Sequence, residues 1–74
     1  MPATTTLRRF EFVGGGSDKF WAVAVNGATV MVQFGRNGAA GQTKTKTFAD
    51  TFAAQRHADN LIRQKTGKGY VEVK

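Results

Sequence analysis

The dipeptide Asn26-Gly27 stands between two runs rich in β-branched and aromatic residues, Lys19 to Val25 and Ala28 to Arg36. Asn and Gly both tolerate the positive φ of a type I′ turn, so the pair is a strong short-range hairpin signal. Such a turn also sets the pairing. With Val25 opposite Ala28, Val23 meets Val30, Trp21 meets Val32 and Lys19 meets Phe34, all on one face by the twofold period of a strand. That face is the more apolar and is assigned to the core. The other face carries Phe20, Ala22, Ala24, Thr29, Met31 and Gln33. Phe34, Lys19 and Arg36 are then expected at the far end of the core face, where apolar packing gives way to solvent.

The rest of the chain reads as further strands and one helix. Leu7 to Val13 alternates, with Phe10 and Phe12 on one side and Arg9 and Glu11 on the other, as in a strand. Gly14 to Asp18 reads as a flexible polar connection. Asn37 to Gly41 is a loop. Gln42 to Phe48 follows as a Thr/Lys alternation suited to a solvated edge strand, where lysines discourage pairing with another chain. Asp50 is a candidate N-cap, and Phe52, Ala54, Ala58, Leu61, Ile62 and Lys65 recur at spacings of three and four, so an amphipathic helix is predicted. Gly67 is the expected C′ residue. Gly69 to Val73 supplies a short last strand. The expected fold is α+β: a small antiparallel sheet of four to five strands with one α-helix packed on its apolar face.

Size and charge narrow the function. The chain has 74 residues, too few for a second core of roughly 50 residues. A single domain over residues 1–74 is expected, with an ordered core at about 7–73 and a flexible segment at 1–6. Lys plus Arg number 11 and Asp plus Glu 5, a formal charge of +6 that favours an anionic partner. With no Cys and one His there is no disulfide, thiol nucleophile or Cys-based zinc site, and neither a metal nor a cofactor is expected. No apolar run approaches the ~18 to 20 residues of a transmembrane helix, and the N-terminus lacks a secretory signal. These features lead us to expect a soluble, cytoplasmic monomer.

Catalytic constellations are missing from the sequence. Gly35, Gly38 and Gly41 match neither the dinucleotide spacing nor a phosphate-binding P-loop, and no helix follows them. The five carboxylates are scattered, and none is paired by short spacing with another acid or with His57. His57 falls inside the helix pattern and reads as a side chain half packed against the sheet or at its rim. Arg63, Lys65 and Lys68 are explained by complementarity to the negative end of the helix dipole. Lys19, Arg36, Lys44 and Lys46 fall instead on neighbouring strands and their loop beside Phe34. Basic groups contact phosphate oxygens and a flat ring stacks on a base or sugar, which suits a nucleic-acid end or single strand. A plain solvated basic strand, with Phe34 at the core edge, has the same pattern.

Three separated segments, Ser17-Asp18-Lys19-Phe20-Trp21, Phe34-Gly35-Arg36-Asn37-Gly38-Ala39-Ala40-Gly41-Gln42 and Lys65-Thr66-Gly67-Lys68-Gly69-Tyr70, together resemble the WGR domain family. That family is named for a Trp-Gly-Arg tripeptide followed by a glycine-punctuated loop and a Gln. The resemblance runs from about Leu7 to Val73. It implies a small antiparallel sheet with one helix. It also implies the role the domain has in DNA-damage-dependent poly(ADP-ribose) polymerases, where the motif tryptophan packs on nucleotide sugar at a DNA break. The motif arginine there makes phosphate or interdomain contacts. In this chain Phe34 stands in the tryptophan's place, while Gly35 and Arg36 are retained. Phe keeps a flat apolar face and loses the indole N–H donor. The expectation is a non-enzymatic, stand-alone module binding nucleic acid through Phe34, Gly35, Arg36, Lys19, Lys44 and Lys46. DNA is expected ahead of RNA, with DNA ends as one candidate form. The alternative is a protein-docking module that uses the Arg36 edge.

Overall fold

A computed structural model describes residues 7–73. The expected flexible segment at 1–6 lies outside the described residues. The strands are β1 (Arg8–Gly14), β2 (Ser17–Asn26), β3 (Thr29–Arg36), β4 (Gln42–Thr47) and β5 (Val71–Val73), with a helix α1 (Thr51–Gly67) before the last. They form one antiparallel sheet in the order β4-β3-β2-β1-β5. This is the expected α+β architecture, and β4 is the edge strand its Thr/Lys alternation predicted.

Gly14 pairs with Ser17, so the connection expected to be loose is a two-residue Gly15-Gly16 turn, and Asp18 already belongs to β2. The central hairpin also differs from expectation. Asn26 pairs with Thr29, which makes Gly27 and Ala28 the central turn residues. Gly27 has φ +61 and Ala28 has no positive φ, the pattern of a type II′ turn with glycine first. Each β2 residue therefore meets a partner two positions further along β3: Val25 meets Val30, Val23 meets Val32, Trp21 meets Phe34 and Lys19 meets Arg36. A slip of two residues leaves every side chain on its predicted face.

The core forms on that face. Phe10, Trp21, Val23, Val25 and Val30 pack with Ala54 and Ala58 of α1, and all are buried. Phe10 and Trp21 meet tilted, centroids 5.6 Å apart. Burying each large side chain here contributes roughly 1.5–3 kcal/mol. The two alanines, four residues apart, present a shallow stripe that lets the helix lie close to the sheet. Asp50 caps α1 by accepting from the Ala53 N–H at 2.7 Å, as its position predicted. Phe52, counted with the apolar stripe, is 70% exposed, because it lies in the first turn away from the buried alanines. The helix also runs further than expected. Gly67, the expected C′ residue, is instead its last residue, Lys68 is the cap, and Gly69 beyond it has a positive φ of +110. The Lys68 and Tyr70 N–H groups both donate to the Lys65 carbonyl, which closes the helix end.

The opposite face carries a second apolar centre. Phe20 and Ala22, expected outside the core, are 3% and 1% exposed. The cover over Phe20 is not a second layer of secondary structure. The Arg9 guanidinium lies 4.3 Å from the ring centroid, and the backbone of the loop after β3 folds back against the ring.

Candidate nucleic-acid interface

Phe34, Gly35 and Arg36 end β3, and the loop that follows is held at several points. The Asn37 N–H donates to the Asp18 carbonyl at 3.0 Å, and its side-chain amide donates to the Asp18 carboxylate at 2.6 Å. The Asn37 side-chain oxygen in turn accepts from Arg9 Nη2 at 2.9 Å. At the far end of the loop, Gln33 Nε2 donates to the Ala40 carbonyl at 2.8 Å. The glycines permit the return path. A Cβ on Gly35 would stand 2.7 Å from Gly41 Cα, and one on Gly41 would strike the Phe34 carbonyl oxygen. Real Cβ atoms do not approach other atoms so closely, so this crossing requires glycine on both sides.

The register brings Lys19, Phe34, Arg36, Lys44 and Lys46 onto one sheet face, shared with Trp21 and the core. Arg36 is opposite Lys19, Lys44 opposite Val32 and Lys46 opposite Val30. All four cations are exposed. Lys44 Nζ lies 5.8 Å from the Phe34 ring centroid, and Lys46 Nζ 5.3 Å from that of Phe48. Lys19 Nζ lies 5.4 Å from Phe12 rather than beside Phe34. Phe34 itself is opposite Trp21, one pair inboard of the strand end, and is half-buried against the core. Gly35 belongs to the other face, against Gly41 and Phe20; it shapes the loop and does not join the cations.

Charge is distributed unevenly. Glu72 pairs with Arg8 at 2.8 Å and Glu11 with Arg9 at 3.2 Å. Asp18 binds Asn37, Asp50 caps the helix and Asp59 accepts from Gln55 at 3.1 Å. Among the described residues, Lys19, Arg36, Lys44 and Lys46 have no ion pair. A cation without a carboxylate partner keeps its full attraction for an external anion.

The strands and α1 also border an open cavity of about 490 Å³ whose lining includes Trp21, Phe34, Lys44, Lys46, His57, Lys65 and Tyr70. Its floor is apolar, and the exposed lysines of β4 form one rim. His57 is half-buried with its ring 4.8 Å from that of Phe48, the rim position its sequence context suggests. Sequence reasoning missed Lys65 as a site residue. Instead of serving the helix dipole alone, its ammonium lies 5.3 Å from the Tyr70 ring centroid and 5.7 Å from that of Trp21. Burial lowers its pKa, and the charges of Lys68 and Lys19 lower it further. The signal was present, since Lys65 continues the apolar spacing of the helix and is therefore directed at the sheet.

A sequence profile of the WGR domain matches residues 4–74. The chain belongs to the WGR domain family. Its WGR domain is 38% identical over 66 residues to protein YehF of Escherichia coli (strain K12), spanning 89% of this chain and 24% of YehF. Protein YfeS of the same organism is 34% identical over 65 residues, 88% of this chain and 27% of that protein. The crystal structure of a Bacteroides fragilis protein superposes with a TM-score of 0.91 at 42% identity, over 93% of this chain and 20% of that one. The chain thus spans about a quarter of the length of the relatives it matches. The WGR domain is a small binding module, often for nucleic acid, and not a catalytic family. No helix among the described residues is long and apolar enough to cross a membrane.

Proposed function

We propose that this WGR domain is a non-enzymatic nucleic-acid-binding module, with DNA expected ahead of RNA and DNA ends as one candidate form. One observation carries the reading: Lys19, Arg36, Lys44 and Lys46 share one sheet face with the half-buried ring of Phe34, and none is neutralised by a carboxylate among the described residues. In this reading the four cations contact phosphate oxygens, while Phe34 lies against a sugar or base at the strand end. Phe34 replaces the family's tryptophan, so stacking remains and an indole hydrogen bond does not.

The test is a titration of blunt duplex, nicked duplex and single-stranded DNA at several salt concentrations. Four phosphate contacts give a log–log salt slope near −3.6 on duplex DNA. Lys46→Ala should reduce the slope by about 0.9, and Arg56→Ala, outside the patch, should leave it unchanged. Failure to bind all three DNA forms at ~50 mM salt defeats the proposal.

A second reading, docking of a protein surface on Arg36, is supported by a different fact. The relatives are about four times longer than the matched region, so in them the WGR domain adjoins further chain on which such an edge could dock. In that case Arg36→Ala abolishes capture of the partner while DNA retention is unchanged.

A further inference from the structure

The cavity between α1 and the β3–β4 edge has a chemistry that backbone phosphate contacts do not use. Its lining joins the apolar side chains of Val32, Phe34, Leu61 and Tyr70 to the lysines Lys44, Lys46 and Lys65. Among the described residues, no acidic side chain lines it. At about 490 Å³ it falls within the roughly 300–1,000 Å³ of small-molecule pockets. Lys65 distinguishes it from a plain apolar groove. Its ammonium is held over two aromatic rings, partly stripped of water and repelled by Lys68 and Lys19, with no carboxylate partner among the described residues. A cation held in that way gains from an incoming anion, which would replace the lost hydration and offset the repulsion.

We infer that this cavity is a binding site for a small organic anion with a flat aromatic body, the ring lying against Phe34, Leu61 and Tyr70 and the anionic group reaching Lys65 and the β4 lysines. The occupant follows from charge complementarity and shape. An aliphatic body would not use the half-buried rings of Phe34 and Tyr70, and a bare inorganic ion would leave the apolar lining uncovered. The site shares Phe34, Lys44 and Lys46 with the DNA reading, and Lys65 and Leu61, which that reading does not use, tell the two apart.

The probe is anilinonaphthalenesulfonate, whose fluorescence rises on entering an apolar site, titrated into the intact chain without nucleic acid. Saturable binding of one probe per chain is expected. Phenylnaphthylamine, which has the same ring body and no sulfonate, should bind about tenfold more weakly. Lys65→Met, which keeps the stem and removes the charge, should weaken the sulfonate by about tenfold and leave the uncharged dye unchanged. Val32→Phe, which narrows the cavity, should weaken binding of both dyes; thermal unfolding by circular dichroism verifies that the variant is folded. Displacement by a nucleoside monophosphate points to a nucleotide as the source of the aromatic anion, and displacement by naphthoate alone to an aromatic carboxylate. Equal affinity for the two dyes, binding indifferent to Val32→Phe in a folded variant, or displacement by neither competitor overturns the assignment.

Discussion

Replacing Gly41 with alanine tests whether the loop after Arg36 is held by the close crossing of backbone at Gly35 and Gly41. Gly41 has φ +74, a conformation that costs an L-residue about 1–2 kcal/mol. An added Cβ would also strike the Phe34 carbonyl oxygen and stand 2.9 Å from Phe20 Cζ. Phe20 is 3% exposed and pinned beneath Arg9, so it has little room to move. Overpacking of that kind costs about 1–3 kcal/mol. Gly41→Ala should therefore lose about 2–5 kcal/mol in all. Gly38→Ala is the matched control, since Gly38 has φ +90 in the same loop but a Cβ added there would meet no heavy atom within 4 Å. It should lose only the backbone part, about 1–2 kcal/mol. Urea titrations followed by Trp21 fluorescence measure both, and the difference in midpoint at constant m gives the contact term. DNA affinity should also fall further in Gly41→Ala than in Gly38→Ala, because displacing the crossing moves the backbone that carries Arg36. Equal loss of stability in the two variants would refute the reasoning.

Three further outcomes are expected. Asp50→Ala removes the acceptor for the Ala53 N–H and should lower stability by about 1 kcal/mol in chemical denaturation, with Asp50→Asn recovering most of the loss. Asn37→Ala removes the side-chain bridge between Asp18 and Arg9 and should cost about 1–3 kcal/mol, with faster amide hydrogen exchange in the loop 37–41. The third concerns pH. Lys65 has a lowered pKa in the folded state, from burial first and the Lys68 and Lys19 charges second. Below that value both folded and unfolded chains hold the proton, and the buried charge weakens the fold. As pH rises through the lowered value toward the ordinary 10.5, the folded chain releases its proton first, so the stability contribution of Lys65 improves. The stability of the native protein relative to Lys65→Met should therefore increase over that window, and a flat or falling difference would contradict the burial argument.

Much of the fold was legible because its signals are local. The apolar alternation of β2 and β3, the Thr/Lys pattern of β4 and the capping position of Asp50 each act over a few residues. The central turn was legible only in part. Asn-Gly suits a type I′ turn, but a glycine serves equally well as the first central residue of a type II′ turn, and the two choices differ by a two-residue slip. The faces were predicted correctly because a slip of two preserves them. The partners were not: alternation with a type I′ turn puts Phe34 opposite Lys19, whereas it is opposite Trp21. The end of α1 had two candidate glycines, and the chosen one brings Tyr70 back to within 5.4 Å of the Phe12 ring centroid, a contact between opposite ends of the chain.

The candidate site divides in the same way. The excess of cations, the absence of Cys and the Phe-Gly-Arg tripeptide are properties of the chain itself, and the charge favours an anionic partner. Alternation alone puts Lys19, Phe34 and Arg36 on one face. Tertiary structure decided which cations remain unpaired, because Glu11, Asp18 and Glu72 are engaged elsewhere by strand neighbours and the loop clamp. It also decided that Phe20 is buried under a loop and an arginine, and that Lys65 turns from the helix end onto two aromatic rings. Both depend on segments distant in sequence meeting across the sheet. Hydrophobic periodicity reports which side of an element is buried, while the identity of what covers it is set by packing among elements.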